Sequence, residues 1–249
     1  YTSNPQSYFM GGSAIVQNYS GAGESEAIFG QFSYRFAEDW SITLGARSTE
    51  EDKEGFKEYV GIISASGEGS FDDTTSTFIL EHNYSDNTNL YFKVAEGFKA
   101  GGFNAESSNP FAASTPYAPE TIESTELGLK GRYLDNRMML NIAYFDNEHE
   151  DMQISYFNAD AAAASEVINQ SASISGLEIE SMTLLNDSTV LTLNFSSLDA
   201  ETTGNKRAQD GFLVNNIPYS PEKTLYASLE KDFGAYRVRL EHTRVDEHA

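Results

Sequence analysis

Residues 137–147 read RMMLNIAYFDN, and this stretch decides the fold. Met138, Leu140, Ile142 and Tyr144 hold one parity, and Met139, Asn141, Ala143 and Phe145 hold the other. A helix would gather apolar residues every three or four positions, whereas a strand sends successive side chains to opposite faces. The same period of two extends in both directions. Upstream, Trp40, Ile42, Leu44 and Ala46 alternate with Ser41, Thr43, Gly45 and Arg47, and Leu90, Phe92, Val94 and Phe98 with Tyr91, Lys93, Ala95 and Lys99. Downstream, Leu191, Leu193 and Phe195 alternate with Thr192, Asn194 and Ser196, Leu225, Ala227 and Leu229 with Tyr226, Ser228 and Glu230, and Val238 and Leu240 with Arg239 and Glu241.

Short polar turns punctuate these strands. Their centres at Glu38, Asp86, Asp135, Asn186 and Gly234 are spaced 48, 49, 51 and 48 residues apart. Between consecutive short turns lies one long polar segment, at about 49–73, 100–120, 148–167 and 200–218, each expected to be a loop. The unit is therefore strand, long loop, strand, short turn. Transmembrane barrels have this asymmetry, with strands of about 9–11 residues. We expect an all-β, antiparallel up-and-down transmembrane β-barrel in partial form, with ten or eleven strands including a weaker one near residues 8–19. A soluble β-sandwich also alternates, but its strands are shorter and its turns more closely spaced. Aromatics flank the short turns: Phe36 and Trp40 at one, Tyr84 and Tyr91 at another, Tyr133 and Phe233 at two more. Membrane barrels carry their interfacial aromatics there. Ile174 breaks parity with Leu177 and Ile179, so a bulge is expected near Ser175 and Gly176.

Composition narrows the function classes. The 249 residues carry 38 acidic and 16 basic side chains, a formal net charge of −22. A nucleic-acid partner is disfavoured, because phosphate binding needs clustered cations. No cysteine is present, hence no disulfide, thiolate metal site or cysteine nucleophile. No apolar run reaches the ~18 residues of a spanning helix, and residues 1–6 lack the features of a secretory leader. Neither point bears on strands, which hide their apolarity in alternate positions.

Four blocks resemble one family. Residues 89–104 (NLYFKVAEGFKAGGFN), 119–131 (PETIESTELGLKG), 139–153 (MLNIAYFDNEHEDMQ) and 174–180 (ISGLEIE) are similar, in order and spacing, to barrel segments of TonB-dependent outer-membrane receptors. The resemblance implies a 22-stranded barrel with an N-terminal plug, in the outer membrane of a Gram-negative bacterium. It also implies active transport of a scarce, bulky solute, most often a ferric siderophore, otherwise cobalamin, haem or an oligosaccharide. The implied partners are the TonB complex, acting through the plug, the solute, and outer-membrane lipid and lipopolysaccharide. No plug or TonB box is recognisable, and the chain stops at Glu247, His248 and Ala249 without a terminal aromatic. Residues 1–249 are thus expected to be a fragment of the barrel domain lacking plug and closing strands. A passive porin and a surface-displayed adhesive all-β protein are the alternatives.

Candidate site residues follow from the polar parity and the glycine-rich segment 97–104. That segment lacks the order of a phosphate loop. Either Lys99 and Phe103, with Asn104, meet an anionic aromatic solute at the top of the lumen, or the glycines serve a loop conformation at a strand end. Lys93 and Arg47, on the polar faces, are further candidate ligand contacts. Alternatively, Lys93, Arg237, Arg239 and their neighbours pair across strands with Glu126, Glu230 and Glu241. Asp146, Glu148, His149, Glu150 and Asp151 lack the spacing of a calcium or zinc site. The acidic run Glu50, Glu51, Asp52, Glu54 is expected to be an exposed loop, open to divalent bridging to lipopolysaccharide. His82 and His242 fall on the apolar parity, and no serine sits in a GxSxG elbow. Neither catalytic residues, metal nor cofactor are therefore expected, and an enzyme is not.

Overall fold

The structure, a computed structural model, describes residues 4–10, 13–59, 63–104, 114–158, 164–203, 217 and 219–246. Eleven antiparallel strands form one up-and-down sheet in which each strand pairs with its neighbours in order. They are β1 (Asn4–Met10), β2 (Ser13–Arg35), β3 (Trp40–Tyr59), β4 (Ile63–Ser85), β5 (Thr88–Lys99), β8 (Glu120–Tyr133), β9 (Met138–Asn158), β10 (Ala164–Asn186), β11 (Thr189–Thr203), β12 (Lys223–Asp232) and β13 (Arg237–Val245). Two short strands, β6 (Gly102–Phe103) and β7 (Pro116–Tyr117), pair separately between β5 and β8. The described strands make a partial barrel wall that does not close.

Register turns the sequence alternation into two chemically distinct faces. Tyr34, Ile42, Leu80, Phe92, Leu127, Tyr144 and Leu177 are successive cross-strand partners, forming one apolar row across seven strands. Trp40, His82, Leu90, Leu129, Ile142, Ile179, Phe195 and Leu225 form the next. No second layer covers these rows among the described residues, and Leu127 is 60% exposed and Tyr144 52%. A sandwich would bury this face against another sheet. The opposite face is polar: Asn83, Asn89, Lys130, Asn141, Glu180, Asn194 and Tyr226 are successive partners there.

Aromatics close the apolar face at the short turns. Phe36 and Trp40 lie 6.3 Å apart, Trp40 and His82 4.2 Å, and His82 and Tyr84 6.3 Å, between ring centroids. At the last short turn Phe233 stacks on Tyr236 at 4.8 Å.

Three expectations are corrected. The segments 49–73 and 148–167 are mostly strand rather than loop: β3 and β4 stay in register from Trp40↔His82 to Tyr59↔Ile63, and β9 runs on to Asn158. Polar side chains do not end a hairpin whose backbone groups satisfy one another. The acidic run 50–54 accordingly lies within β3, with Glu50, Asp52 and Glu54 on the outward parity. Of the 200–218 segment, residues 204–216 and 218 lie outside the described residues, as do 105–113 of the 100–120 segment and 247–249 at the end. Second, Ser175 and Gly176 pair regularly on both sides. The irregularity sits earlier and on the partner strand, where β9 carries an extra residue opposite Ser171 and Asp151 adopts φ 51°. Ile174 belongs to the polar face, opposite Asn147. Third, the weak strand near 8–19 is two paired strands, β1 and the start of β2, with residues 11 and 12 outside the description.

Candidate functional site

The chemistry of the molecule lies on the polar face and on what folds against it. Midway along β5 and β8, the Tyr91 hydroxyl donates to the Glu126 carboxylate, and Lys93 Nζ stands 3.9 Å from the same group. Lys130 Nζ lies 5.1 Å from the Tyr91 ring centroid, a cation–π distance. Tyr91 and Gly128 are cross-strand partners, and the ring occupies the space a Cβ on residue 128 would take. Further along, Glu230 takes Arg239 at 2.9 Å and Arg237 at 3.3 Å, and Tyr226 donates to Glu241 at 2.7 Å. The cross-strand pairing expected from the sequence is therefore present for Lys93, Arg237 and Arg239.

Above these pairs, β5 and β8 stop at Lys99 and Glu120 while β4 and β9 continue, leaving a notch in the wall. Residues 100–104 and 114–118 fill it as a strap. Phe103 lies over Gly55 of β3, where a Cβ would meet the ring at 2.8 Å. Because β3 and β4 keep register, Gly55 shares the polar face with Arg47 and Lys53. Lys53 Nζ donates to the Gly101 carbonyl at 2.9 Å. On the other side, Gln153 Nε2 donates to the carbonyls of Ala100 (2.9 Å) and Ala118 (3.2 Å). Asn169 exchanges two bonds with Ala118, and Asn104 two with Val167. Among the described residues the few buried apolar ones, Phe71, Ala100, Ile154 and Ala172, are on the strap or on the long hairpins β3–β4 and β9–β10. Burial pushes the Tyr117 phenol up from its ordinary pKa.

Glu120 organises the notch floor. It accepts from the Gln153 backbone N–H at 2.9 Å, and its other oxygen lies 3.2 Å from His149 Nδ1. Lys99 Nζ is 3.8 Å away. The last β8–β9 partners are Thr121 and Glu150, so the Gln153 amide has no β8 carbonyl to bond and takes the carboxylate instead.

The five sequence-predicted residues do not form one cluster. Lys99 is paired with Glu120 yet has a side chain 62% exposed. Phe103 and Asn104 are engaged by the strap's own seats. Lys93 is bound to Glu126, lower on the wall. Arg47 Nε donates to Thr49 Oγ1 at 3.0 Å, and its guanidinium lies 6.0 Å from the Phe29 ring centroid. The glycines of 97–104 matter for close approach: Gly101 has no room for a Cβ beside Phe71 and the Tyr117 carbonyl, and its φ is not positive. Lys53, Glu120, Gln153 and Asn169 were missed. Lys53 carried one signal, as the sole cation in an acidic run, whereas the two amides carried none. The carboxylates of 146–151 do not converge. Glu148 accepts from Ser173 at 2.9 Å, and among the described residues no three His or carboxylate groups are placed to hold a metal.

A one-layered antiparallel sheet with one uncovered apolar face and one polar face is the wall of a membrane β-barrel. The family profile described as "TonB dependent receptor-like, beta-barrel" matches residues 1–247, and the chain belongs to that family. Among solved structures, the ferric yersiniabactin uptake receptor FyuA from Yersinia pestis is 19% identical with TM-score 0.81, covering 98% of this chain and 38% of its own. The siderophore receptor PiuA from Acinetobacter baumannii is 16% identical with TM-score 0.73, covering 94% and 35%. The copper transporter OprC is 15% identical with TM-score 0.67, covering 90% and 34%. The chain thus spans less than two-fifths of the length of these proteins, and at such identities the likeness is one of fold.

Proposed function

We propose that these residues form part of the barrel wall of a Gram-negative outer-membrane receptor that imports a scarce, bulky solute, a ferric siderophore, with energy delivered through TonB. The observation that carries this reading is the two-faced sheet: lipid wets the uncovered apolar rows, and an aqueous passage wets the polar face. Closed barrels satisfy all backbone groups without water, which is why strands of this kind cross outer membranes. The plug that meets TonB and the remaining strands belong to the same polypeptide outside these 249 residues.

Specificity resides in the long hairpins above the apolar rows. Lys99, with its exposed ammonium, is the proposed contact for an anionic chelate; Lys93 and Arg47 supply positive charge along the passage, and Phe103 and Asn104 shape its upper edge. Outward carboxylates Glu50, Asp52 and Glu54 face lipopolysaccharide, bridged by divalent ions. The named ligands of FyuA and PiuA support the siderophore class, and catalysis has no part in the mechanism.

The test is growth of a deletion strain under iron limitation, supplied with ferric chelates one at a time. Loss of growth on one chelate, restored by the full-length gene, is expected. Unchanged uptake of every ferric chelate, with lost uptake of copper, cobalamin or a sugar, overturns the assignment.

A further inference from the structure

The polar face is interrupted on one stretch of wall. Along β5 it reads Lys93, Ala95, Gly97, Lys99, so two small residues separate lysines that stand about 20 Å apart along the strand. Neighbouring strands extend the gap in register. Gly97, Ile122, His149 and Ala172 are successive partners, and Ala95, Ser124, Asn147, Ile174 and Ala200 form the row below. In the next row Glu126 is followed by Phe145, Gly176 and Leu198. An island of apolar side chains thus lies within the face that water wets.

These side chains pack into a continuous surface. A Cβ on Gly97 would meet Ile122 Cγ2 at 2.7 Å, and one on Gly176 would meet Phe145 at 2.7 Å and Leu198 at 2.8 Å. Ile122, Phe145, Ile174 and Leu198 nevertheless remain partly exposed. The polar groups among them add little polarity. His149 is turned to Glu120 at 3.2 Å, and Asn147 Oδ1 is buried without a hydrogen-bond partner among the described residues. Charge returns only at the margins. Below, Lys93 is paired with Glu126 at 3.9 Å; above, Lys99 lies 3.8 Å from Glu120 with its side chain 62% exposed. Apolar area standing in water favours an apolar occupant.

We propose that this island is a recess for the apolar part of the transported solute. The inference rests on the transport reading above and narrows its substrate class to amphipathic chelates. An anionic iron-binding head meets Lys99, and an alkyl or aryl group lies on Ile122, Phe145, Ile174 and Leu198. The charges select this occupant. The exposed ammonium stands at the upper margin, whereas Lys93 at the lower one is already matched by Glu126. A solute with one anionic end and one apolar body therefore meets complementary chemistry along the whole stretch. Ala95, Gly97 and Gly176 keep the floor low and leave room for that body. Ile174 and Leu198 are specificity-determining residues: they discriminate apolar substituents and leave the iron-binding head to Lys99.

The recess is tested by equilibrium dialysis of the full-length receptor in detergent against the ferric complexes of catechol and 4-butylcatechol. The two share an anionic head and differ in an apolar group. The butylcatechol complex is expected to bind about tenfold more tightly, as for one partly buried four-carbon chain. Ile174→Ser and Leu198→Ser are each expected to cut that ratio to about threefold or less, whereas Lys99→Gln weakens both complexes and preserves it. Detergent contributes equally to wild type and variants, and heat-modifiable gel mobility establishes that each is folded. Ala95→Leu, which fills the floor and removes nothing, should also lower the ratio and decides the matter if the serine variants do not fold. The 249 residues contain no cysteine, so Ala200→Cys can report cover: it is expected to react with a maleimide in the free receptor and to be protected by the butylcatechol complex. Equal affinity for both complexes, or a ratio unchanged in all three recess variants, overturns the recess and leaves the transport reading standing. Ala200→Cys unreactive with or without the complex means that another part of the receptor covers the patch, and overturns it likewise. Binding of neither complex overturns the recess and contradicts the ferric-chelate reading as well.

Discussion

Trp40 and His82 face each other across β3 and β4, with ring centroids 4.2 Å apart and planes inclined by 18°. Both lie on the apolar face beside the short turn after Arg35, and Phe36 and Tyr84 extend the same aromatic cluster. Rings with an apolar body and a polar edge collect where hydrocarbon gives way to headgroups. The cluster therefore marks the membrane boundary at the short-turn end of the wall.

Trp40 is the one tryptophan of these 249 residues, which makes that boundary measurable. In reconstituted receptor retaining this tryptophan alone, emission is expected to be quenched by phospholipids brominated near the headgroup end of the acyl chain. Bromines at the chain terminus should quench less, and aqueous iodide least.

Leu127 is 60% exposed, and in a soluble protein a charge at that site would be tolerated. Here Leu127→Arg is expected to cost about 2–4 kcal/mol, the range for a cation on the lipid face near the bilayer midplane. Denaturant unfolding of the receptor in lipid vesicles measures it. The adjacent polar-face change Glu126→Gln provides the control.

Gly128 and Tyr91 make a second test of packing. Gly128→Ala sets a methyl group against the Tyr91 ring, and overpacking of this kind costs about 1–3 kcal/mol. Tyr91→Ala should relieve most of that cost, so the double variant is expected to be less destabilised than the sum of the two single ones.

Glu120 holds an edge amide that the shortened β8 leaves without a carbonyl. Glu120→Ala is expected to cost about 1–3 kcal/mol by stranding the Gln153 N–H, whereas Glu120→Gln keeps an acceptor and should recover much of it. Hydrogen exchange at the Gln153 amide reports the site directly, and it is expected to be faster in Glu120→Ala.

Much of the wall was legible because period two is a local signal: residues 40–47 and 137–147 state which side chains share a face without reference to anything distant. The short turns were legible for the same reason. The hairpin extensions were not, since residues 49–59 and 63–73 are mostly polar, without a regular apolar alternation, and owe their strand conformation to each other. Nor was the strap. Sequence cannot show that Val167, 63 positions away, meets both ends of the Asn104 amide. The bulge was not legible either: Ile174 is an apolar residue on the polar face of a regular β10, and the extra residue sits in β9, opposite Ser171.

Alternating contact with lipid and water is tested most directly by single-cysteine labelling along β8. Cysteines at Ser124, Glu126 and Lys130 are expected to react with a membrane-impermeant maleimide in outer-membrane preparations of the full-length receptor opened at both surfaces, and those at Thr125, Leu127 and Leu129 to stay unlabelled until the membrane is dissolved. Equal labelling at both parities, or labelling confined to Thr125, Leu127 and Leu129, would contradict a wall with lipid on one side and water on the other.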